Sequence, residues 1–458
     1  MRPETTSRLL KSEDDAMMVG GEEKGTEEHG NGRSHTVVGS SWGRPIYTDT
    51  PAVAPWSQPS PCPTPQWPRA PVPLSAPRGR HYRIPPPFHL KPGLAVALLE
   101  GESPEGTIGA YFSLGNDRDI VLGLTCCHVA SPGCATTGLT VAGAAANHEE
   151  IIAIGSGAYE LGITAIAERI KTLQNIVVSQ KKVIERLEQL LDDNNGDPAA
   201  IAKMKEKAQR RAEAATETMD ALESLHRWIT NRFALPEQRR IGRVYCAERI
   251  GPSSDDPVSA YTIDWAFVQL NQDAFKRPGF TGNQVYVGGK VTEEEYCGLM
   301  FPCVADRGDY EYPLDGLLQI SGYVPESEML NPTQHGPDGK PRMHVIKNGR
   351  TTGTTVGWLN GLKTLTGHYQ IEGVKKEFKT METTIVPYGG RWRDAFSASG
   401  DSGAAILDRD GRFVALLTGG GGMNGETDIT FATPAYELLP RIRKAVPGAD
   451  LFPEVPRK

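Results

Sequence analysis

Between Ile163 and Leu235 the chain holds a single glycine, Gly196, and a single proline, Pro198, whereas the segments on either side are broken by both every few residues. Two helical seams run through this stretch. Ile166, Ile170, Leu173, Val177, Gln180, Ile184, Leu187 and Leu191 step by alternating fours and threes, and Ile201, Met204, Ala208, Arg211, Ala215, Thr218, Leu222, Leu225 and Ile229 by threes and fours. Such spacing lays one stripe of side chains along each helix. The connection Asp192-Asp193-Asn194-Asn195-Gly196-Asp197-Pro198 makes the two helices an antiparallel hairpin, with Asp197 as N-cap and Pro198 at the first helical position. The stripe is imperfect at Gln180, Arg211 and Thr218. So short a connection favours an intramolecular coiled coil; a dimerisation or partner-docking arm is the alternative.

The flanks read as strands. Leu94–Leu99, Gly109–Phe112, Ile120–Leu124, Ile241–Cys246 and Ile263–Leu270 are short apolar or alternating runs bounded by Gly, Pro and Asp. Met343–Lys347, Thr354–Leu359, Met381–Val386, Ala404–Leu407, Phe413–Thr418 and Ile429–Thr433 repeat the pattern in the second half. Thr433-Pro434 then opens a C-terminal helix through Leu438, Leu439 and Ile442, with Thr433 as its expected N-cap. The expected fold is therefore mainly β, interrupted by one long helical hairpin.

Three polar residues stand at the edges of these apolar runs. His128 ends Val121–Val129, Asp264 opens the segment that continues to Leu270, and Ser402 lies in Gly400-Asp401-Ser402-Gly403 just before Ala404-Ala405-Ile406-Leu407. A serine hydroxyl is a weak nucleophile at neutral pH, so acyl transfer needs an imidazole to take its proton and a carboxylate to orient that imidazole. It also needs two backbone N–H groups aimed at the developing oxyanion, and those of Gly400 and Ser402 are the candidates. Asp401 is expected to point away from the substrate and brace the turn through a buried contact. Each residue alone has a bland reading as turn or core, since Gly, Asp and Ser are ordinary turn residues. Their joint occurrence, each at a strand edge, points to nucleophilic catalysis.

Thr125-x-x-His128, Asp264-Trp265-Ala266 and Gly400-Asp401-Ser402-Gly403, in that order, resemble the corresponding segments of chymotrypsin-like (trypsin-fold) serine peptidases. Val345–Gly357 resembles the hairpin that opens the second barrel in intracellular fungal and some bacterial branches of that family. The resemblance covers roughly residues 93–160 and 234–446. It implies two antiparallel six-stranded β-barrels, the first formed by residues 93–160 and 234–290, the second with its C-terminal helix by 291–458, and the hairpin inserted over 161–233. It implies a His128–Asp264–Ser402 triad acting on protein or peptide substrates through an acyl-enzyme, and a chain able to process itself. Thr418 is expected to bond Asp264, and Thr418, Gly419 and Gly420 to line the substrate strand. Phe396, six residues before the serine, is expected at the base of the primary pocket, where it supplies no counter-charge for Arg or Lys.

Composition narrows the partners. A formal net charge of −7 gives no support for nucleic-acid binding. No run reaches the roughly 18 apolar residues of a membrane span, and the N-terminus lacks the apolar core of a secretory signal, so an intracellular protein, cytoplasmic or nuclear, is expected. Seven cysteines fit reduced thiols better than a disulfide framework. Cys126 and Cys127 read as small buried strand-end residues, and no spacing resembles a metal or cofactor site. Fourteen of the 35 prolines fall between Pro45 and Pro87, so residues 1–92 are expected to form a disordered tail, an inhibitory pro-segment, or a ligand for proline-reading partners. The alternative to a peptidase is a catalytically silent binding or sensor module that acts through the helical arm.

Overall fold

The computed structural model describes residues 91–101, 104–115, 117–132, 140–141, 149–256, 259–272, 280, 282–288, 291–371, 374–388, 395–421 and 429–452. Of the expected tail, residues 1–90 lie outside them. Among the described residues no helix is long and apolar enough to cross a membrane.

The first half contributes β1 (Leu94–Leu98), β2 (Gly106–Ile108), β3 (Ala110–Leu114), β4 (Asp117–Thr125), β5 (Thr140–Val141), β6 (Glu150–Ala153), β7 (Arg240–Ala247), β8 (Gly251–Pro252), β9 (Thr262–Ile263) and β10 (Ala266–Leu270). Antiparallel pairings run from β1 to β6, β7, β10, β4 and β3, and β1 also pairs β2. Only Gly109 separates β2 from β3, and its N–H donates to Leu124 (2.9 Å). The strand therefore bends at Gly109, beginning against β1 and ending against β4. A glycine is required there because a Cβ would collide with the Gly403 carbonyl.

The second half contributes β11 (Gln284–Tyr286), β12 (Leu317–Gln319), β13 (His344–Gly349), β14 (Gly353–Leu359), β15 (Thr364–Ile371), β16 (Val374–Pro387), β17 (Ala405–Leu407), β18 (Phe413–Gly421), β19 (Ile429–Pro434) and β20 (Ala449–Leu451). Here the order β14-β13-β17-β18-β19-β16 is closed into a ring by a β14–β16 pairing, and β15 extends from it as a hairpin with β16. The last strand, β20, returns to pair β3 of the first sheet.

Alternating inward residues build the cores. Val96, Ile108, Phe112, Leu122 and Phe267 are buried in the first, with the Phe112 and Phe267 rings 5.0 Å apart. Val345, Leu359, Ile385, Ile406, Val414 and Leu417 fill the second. Trp265 is fully buried, and its indole N–H donates to Glu248 (2.6 Å), the partner a buried indole needs. The C-terminal helix spans Ala435–Ala445 with Pro434, not Thr433, as N-cap. The Thr433 hydroxyl donates instead to the Thr262 carbonyl (2.6 Å), which keeps Thr433 in β19.

Between β6 and β7 rise α2 (Ser156–Asp192) and α3 (Pro198–Phe233), after a one-turn α1 (Cys127–Ala130). At 37 residues α2 is about 55 Å long. The Asp197 carboxylate accepts from Ala199 N–H (3.0 Å) and caps α3. In α2, Ile166, Leu173 and Leu187 are buried and Leu191 is exposed. In α3, Ile201, Ala208, Ala215, Leu222 and Ile229 are buried and Leu225 half-buried, as expected, but three of the intervening positions differ from the expected ones. Lys205, Ala212 and Met219 are half-buried, while Met204, Arg211 and Thr218 are exposed. The α3 stripe steps by fours then threes, so Arg211 and Thr218 face water, whereas Gln180 of α2 stays half-buried.

Candidate active site

Thr125 ends β4, Cys126 begins the turn, and His128 sits on α1. Asp264 occupies the break between β9 and β10, beside the Ala266–Thr125 register of β10 and β4. That register brings them together. The Asp264 Oδ2 lies 2.5 Å from His128 Nδ1, and Oδ1 accepts the His128 backbone N–H (3.1 Å). Asp264 is buried and His128 retains part of its surface. Burial alone would pull the imidazole pKa down; the charge of Asp264 and its hydrogen bond outweigh this and raise it above 6.5.

The Ser402 turn packs against the same element. The Ser402 carbonyl accepts from Thr107 N–H (2.8 Å), and the Thr107 carbonyl accepts from the Thr125 hydroxyl (2.8 Å). A Cβ on Gly403 would lie 2.5 Å from Thr125 Oγ1, so glycine permits the approach. Ser402 is half-buried, and among the described contacts its hydroxyl is not hydrogen-bonded to His128. Gly400 adopts φ +100°, a conformation that L side chains rarely take. Among the described residues, the Gly400 and Ser402 N–H groups have no partner within the protein, whereas those of Asp401, Gly403 and Ala404 bond Ala398, Leu417 and Asp401.

Asp401 turns inward. Fully buried, it accepts from Thr351 N–H (2.7 Å), Thr352 N–H (3.2 Å), the Thr352 hydroxyl (2.6 Å) and Ala398 N–H (3.1 Å). Lys347 Nζ, equally buried, lies 3.2 Å from its Oδ2. Sequence reasoning assigned Lys347 no role. The available signal was its place in β13 two residues after Val345, on the same strand face, where a lysine needs a buried carboxylate.

Several expected substrate contacts are placed differently. Thr418 donates to the Phe431 carbonyl (3.4 Å) and not to Asp264, whose oxygens are taken by His128. Phe396 is fully buried in the second core, with its carbonyl accepting from the Thr355 hydroxyl (2.6 Å), and exposes no surface to a pocket. Gly419 is half-buried and Gly420 exposed. Both pair with β19 on one edge; on the other, the β17 register stops at Ala405–Leu416, and no described strand pairs residues 418–421.

Cys126 Sγ, a His128 nitrogen and an Asp264 oxygen lie within 4.8 Å of one another, the one described cluster with metal-ligand chemistry. Burial, with Asp264 adding to it, pushes the Cys126 thiol well above its usual pKa, and the thiol donates to the Leu417 carbonyl (3.2 Å). Both effects oppose the thiolate that a metal would require. Cys127 is buried too, 3.7 Å from the Ser131 carbonyl.

No family model and no curated protein matches the sequence. Among solved structures, the chain is similar to a glutamic acid specific serine protease (12% identity, 79% of this chain and 100% of that one, TM-score 0.32). It is also similar to the inactive form of the Rv3671c protease (10%, 79% and 89%, TM-score 0.27) and to Cellulomonas bogoriensis chymotrypsin (17%, 46% and 90%, TM-score 0.23). At these scores the likeness adds no weight to the geometry.

Proposed function

We propose that the chain is a serine endopeptidase whose two sheets are six-stranded barrels of the chymotrypsin type and whose triad is His128, Asp264 and Ser402. One observation carries the reading. A buried carboxylate holds both His128 N–H groups, so Nδ1 is committed to Asp264 and Nε2 is left as the base of the ring.

In that chemistry Ser402 Oγ bonds to the substrate carbonyl carbon as its proton passes to His128 Nε2. The carbonyl oxygen becomes an oxyanion facing the Gly400 and Ser402 N–H groups. Collapse breaks the C–N bond, and the Nε2 proton leaves with the amine. Water then repeats the sequence on the acyl-serine and restores the hydroxyl. Asp264 stabilises the imidazolium at each stage, consistent with the raised His128 pKa. The edge of residues 418–421 that no described strand pairs is where an extended peptide adds as a strand, with specificity left to side-chain pockets.

A second reading, a silent module on a peptidase scaffold, draws on the missing Ser402–His128 hydrogen bond. Apo sites often hold such bonds open until substrate arrives. A fluorophosphonate probe separates the two: the peptidase reading expects labelling of the wild type and none of Ser402→Ala, whereas a silent module leaves both unlabelled.

A further inference from the structure

The helical arm is rooted beside the Ser402 turn. Its first residues are Gly155-Ser156-Gly157-Ala158, and the N-cap Gly155 has no side chain with which to cap the helix. Glu105 caps it from the loop before β2. Its Oε1 and Oε2 lie 3.0 and 3.2 Å from Ala158 N, where a negative charge meets the positive end of the helix. A Cβ at Gly155 would collide with that carboxylate, so the glycine admits it.

Glu105 is also ion-paired with Arg350, and both side chains are largely buried. Arg350 stands in the turn between β13 and β14 and touches the Ser402 turn by two routes. Its N–H donates to Thr107 Oγ1 (3.1 Å), which donates to the Gly400 carbonyl (3.0 Å). Its Nη1 donates to Thr351 Oγ1 (3.1 Å), which donates to the Ser399 carbonyl (2.6 Å). The Arg350 stem lies so close to Gly400 that a Cβ there would be 2.9 Å from Cδ. Arg350 Nε is buried with no described partner, and Glu105 is the one described carboxylate paired with this cation.

We infer that the Glu105–Arg350 pair couples the base of the helical arm to the Ser399–Gly403 turn, making Glu105 and Arg350 positioning residues for the oxyanion donors and the arm a control element for acylation. The inference rests on the peptidase reading for its catalytic consequence, but the coupling is a property of the fold. Anything that bends or loosens the first turns of α2 withdraws a helix end from Glu105. Arg350 then loses its fixed partner, and the carbonyls of Ser399 and Gly400 lose the groups aligned by Arg350.

The test is a double-mutant cycle between Glu105→Gln and an arm excision in which residues 164–233 are replaced by a short Gly/Ser linker. Two readouts are taken on the wild type and on each variant: the second-order rate of fluorophosphonate labelling, and hydrogen exchange in the segment spanning residues 396–404. Glutamine keeps an acceptor for Ala158 N–H but removes the ion pair. Labelling should fall about tenfold and exchange at residues 399–403 should rise, while the pH at which His128 titrates stays fixed, because Asp264 is untouched. Arm excision leaves a stub of about two turns, too short to persist as a helix, and should produce the same changes. Combining the two should add little to either alone. Arg350→Lys, which keeps the charge and loses the planar fork, should follow Glu105→Gln and stands in for it if that variant loses cooperative unfolding. Additive effects, or wild-type exchange and labelling in the single variants, would overturn the coupling. If the wild type itself fails to label, the peptidase reading fails and the exchange measurement still judges the coupling.

Discussion

Asp264 and Asp401 are both buried carboxylates of the candidate site. Asp264 faces His128, whose imidazole it helps to hold above its ordinary pKa and which keeps some contact with solvent. Asp401 faces the Lys347 amine, sealed from water with it, together with three backbone N–H groups and a hydroxyl. The same functional group therefore serves two ends, and the partner decides which. A carboxylate against an imidazole stabilises a charge that comes and goes during a reaction. Against a buried ammonium it fixes geometry, because neither charge can be released without leaving the other stranded. The first arrangement suits a proton shuttle; the second suits a brace for the Gly400–Ser402 turn.

That contrast can be broken by removing each carboxylate's role in turn. The largest expected effect is at Asp264. Asp264→Asn should lower kcat/KM by about ten thousandfold with the fold intact, because an amide favours the wrong imidazole tautomer. Circular dichroism and thermal unfolding unchanged beside that loss would mark a chemical role, whereas a matching fall in stability would make Asp264 a second brace.

At the other carboxylate the expected signature is reversed. Lys347→Met leaves Asp401 buried without its counter-ion and should cost about 3–5 kcal/mol of stability, read by denaturant unfolding. Activity should fall with the loss of the turn, and the acid limb of the pH profile should not move. Changing Asp401→Asn in the same chain should recover part of the stability, since the unpaired charge is gone. The smallest effect belongs to Thr418. Because its hydroxyl is bonded to Phe431 and not to Asp264, Thr418→Val should change kcat/KM by less than about threefold. A drop of two orders of magnitude would mean that Thr418 supports the Asp264 carboxylate during turnover.

The difference between the two carboxylates also explains what the sequence makes legible. His128 and Asp264 announce themselves because each is a polar residue at the end of an apolar strand run, and the Gly-Asp-Ser-Gly turn has a conformational need that glycine reveals. The helical hairpin is legible from the loss of Gly and Pro. Its second stripe is not, because Met204, Lys205, Arg211 and Ala212 offer two competing registers and only the position of α2 selects between them. The start of β16 is hidden for another reason: Val374-Lys375-Lys376-Glu377 carries charge without an apolar alternation, so no period of two appears. The links from Glu105 to Arg350 and from Lys347 to Asp401 join residues far apart in the chain. Their pairing depends on tertiary structure, and nothing local to either partner names the other.

The most direct test of the central claim is the pH dependence of fluorophosphonate inactivation, with the adduct located by peptide mass spectrometry. The adduct should lie on Ser402, and the rate should rise with pH through one ionisation above 6.5, as His128 loses the proton that Asp264 helps it keep. Because the folded pKa is raised, the pair's contribution to stability has the opposite sign: it is full below the unfolded value of about 6.5 and is lost as pH passes the folded value. In Asp264→Asn the ionisation should shift downward and the rate should collapse. An adduct on another residue, or a rate independent of pH across that range, would contradict a His128–Asp264–Ser402 catalytic centre.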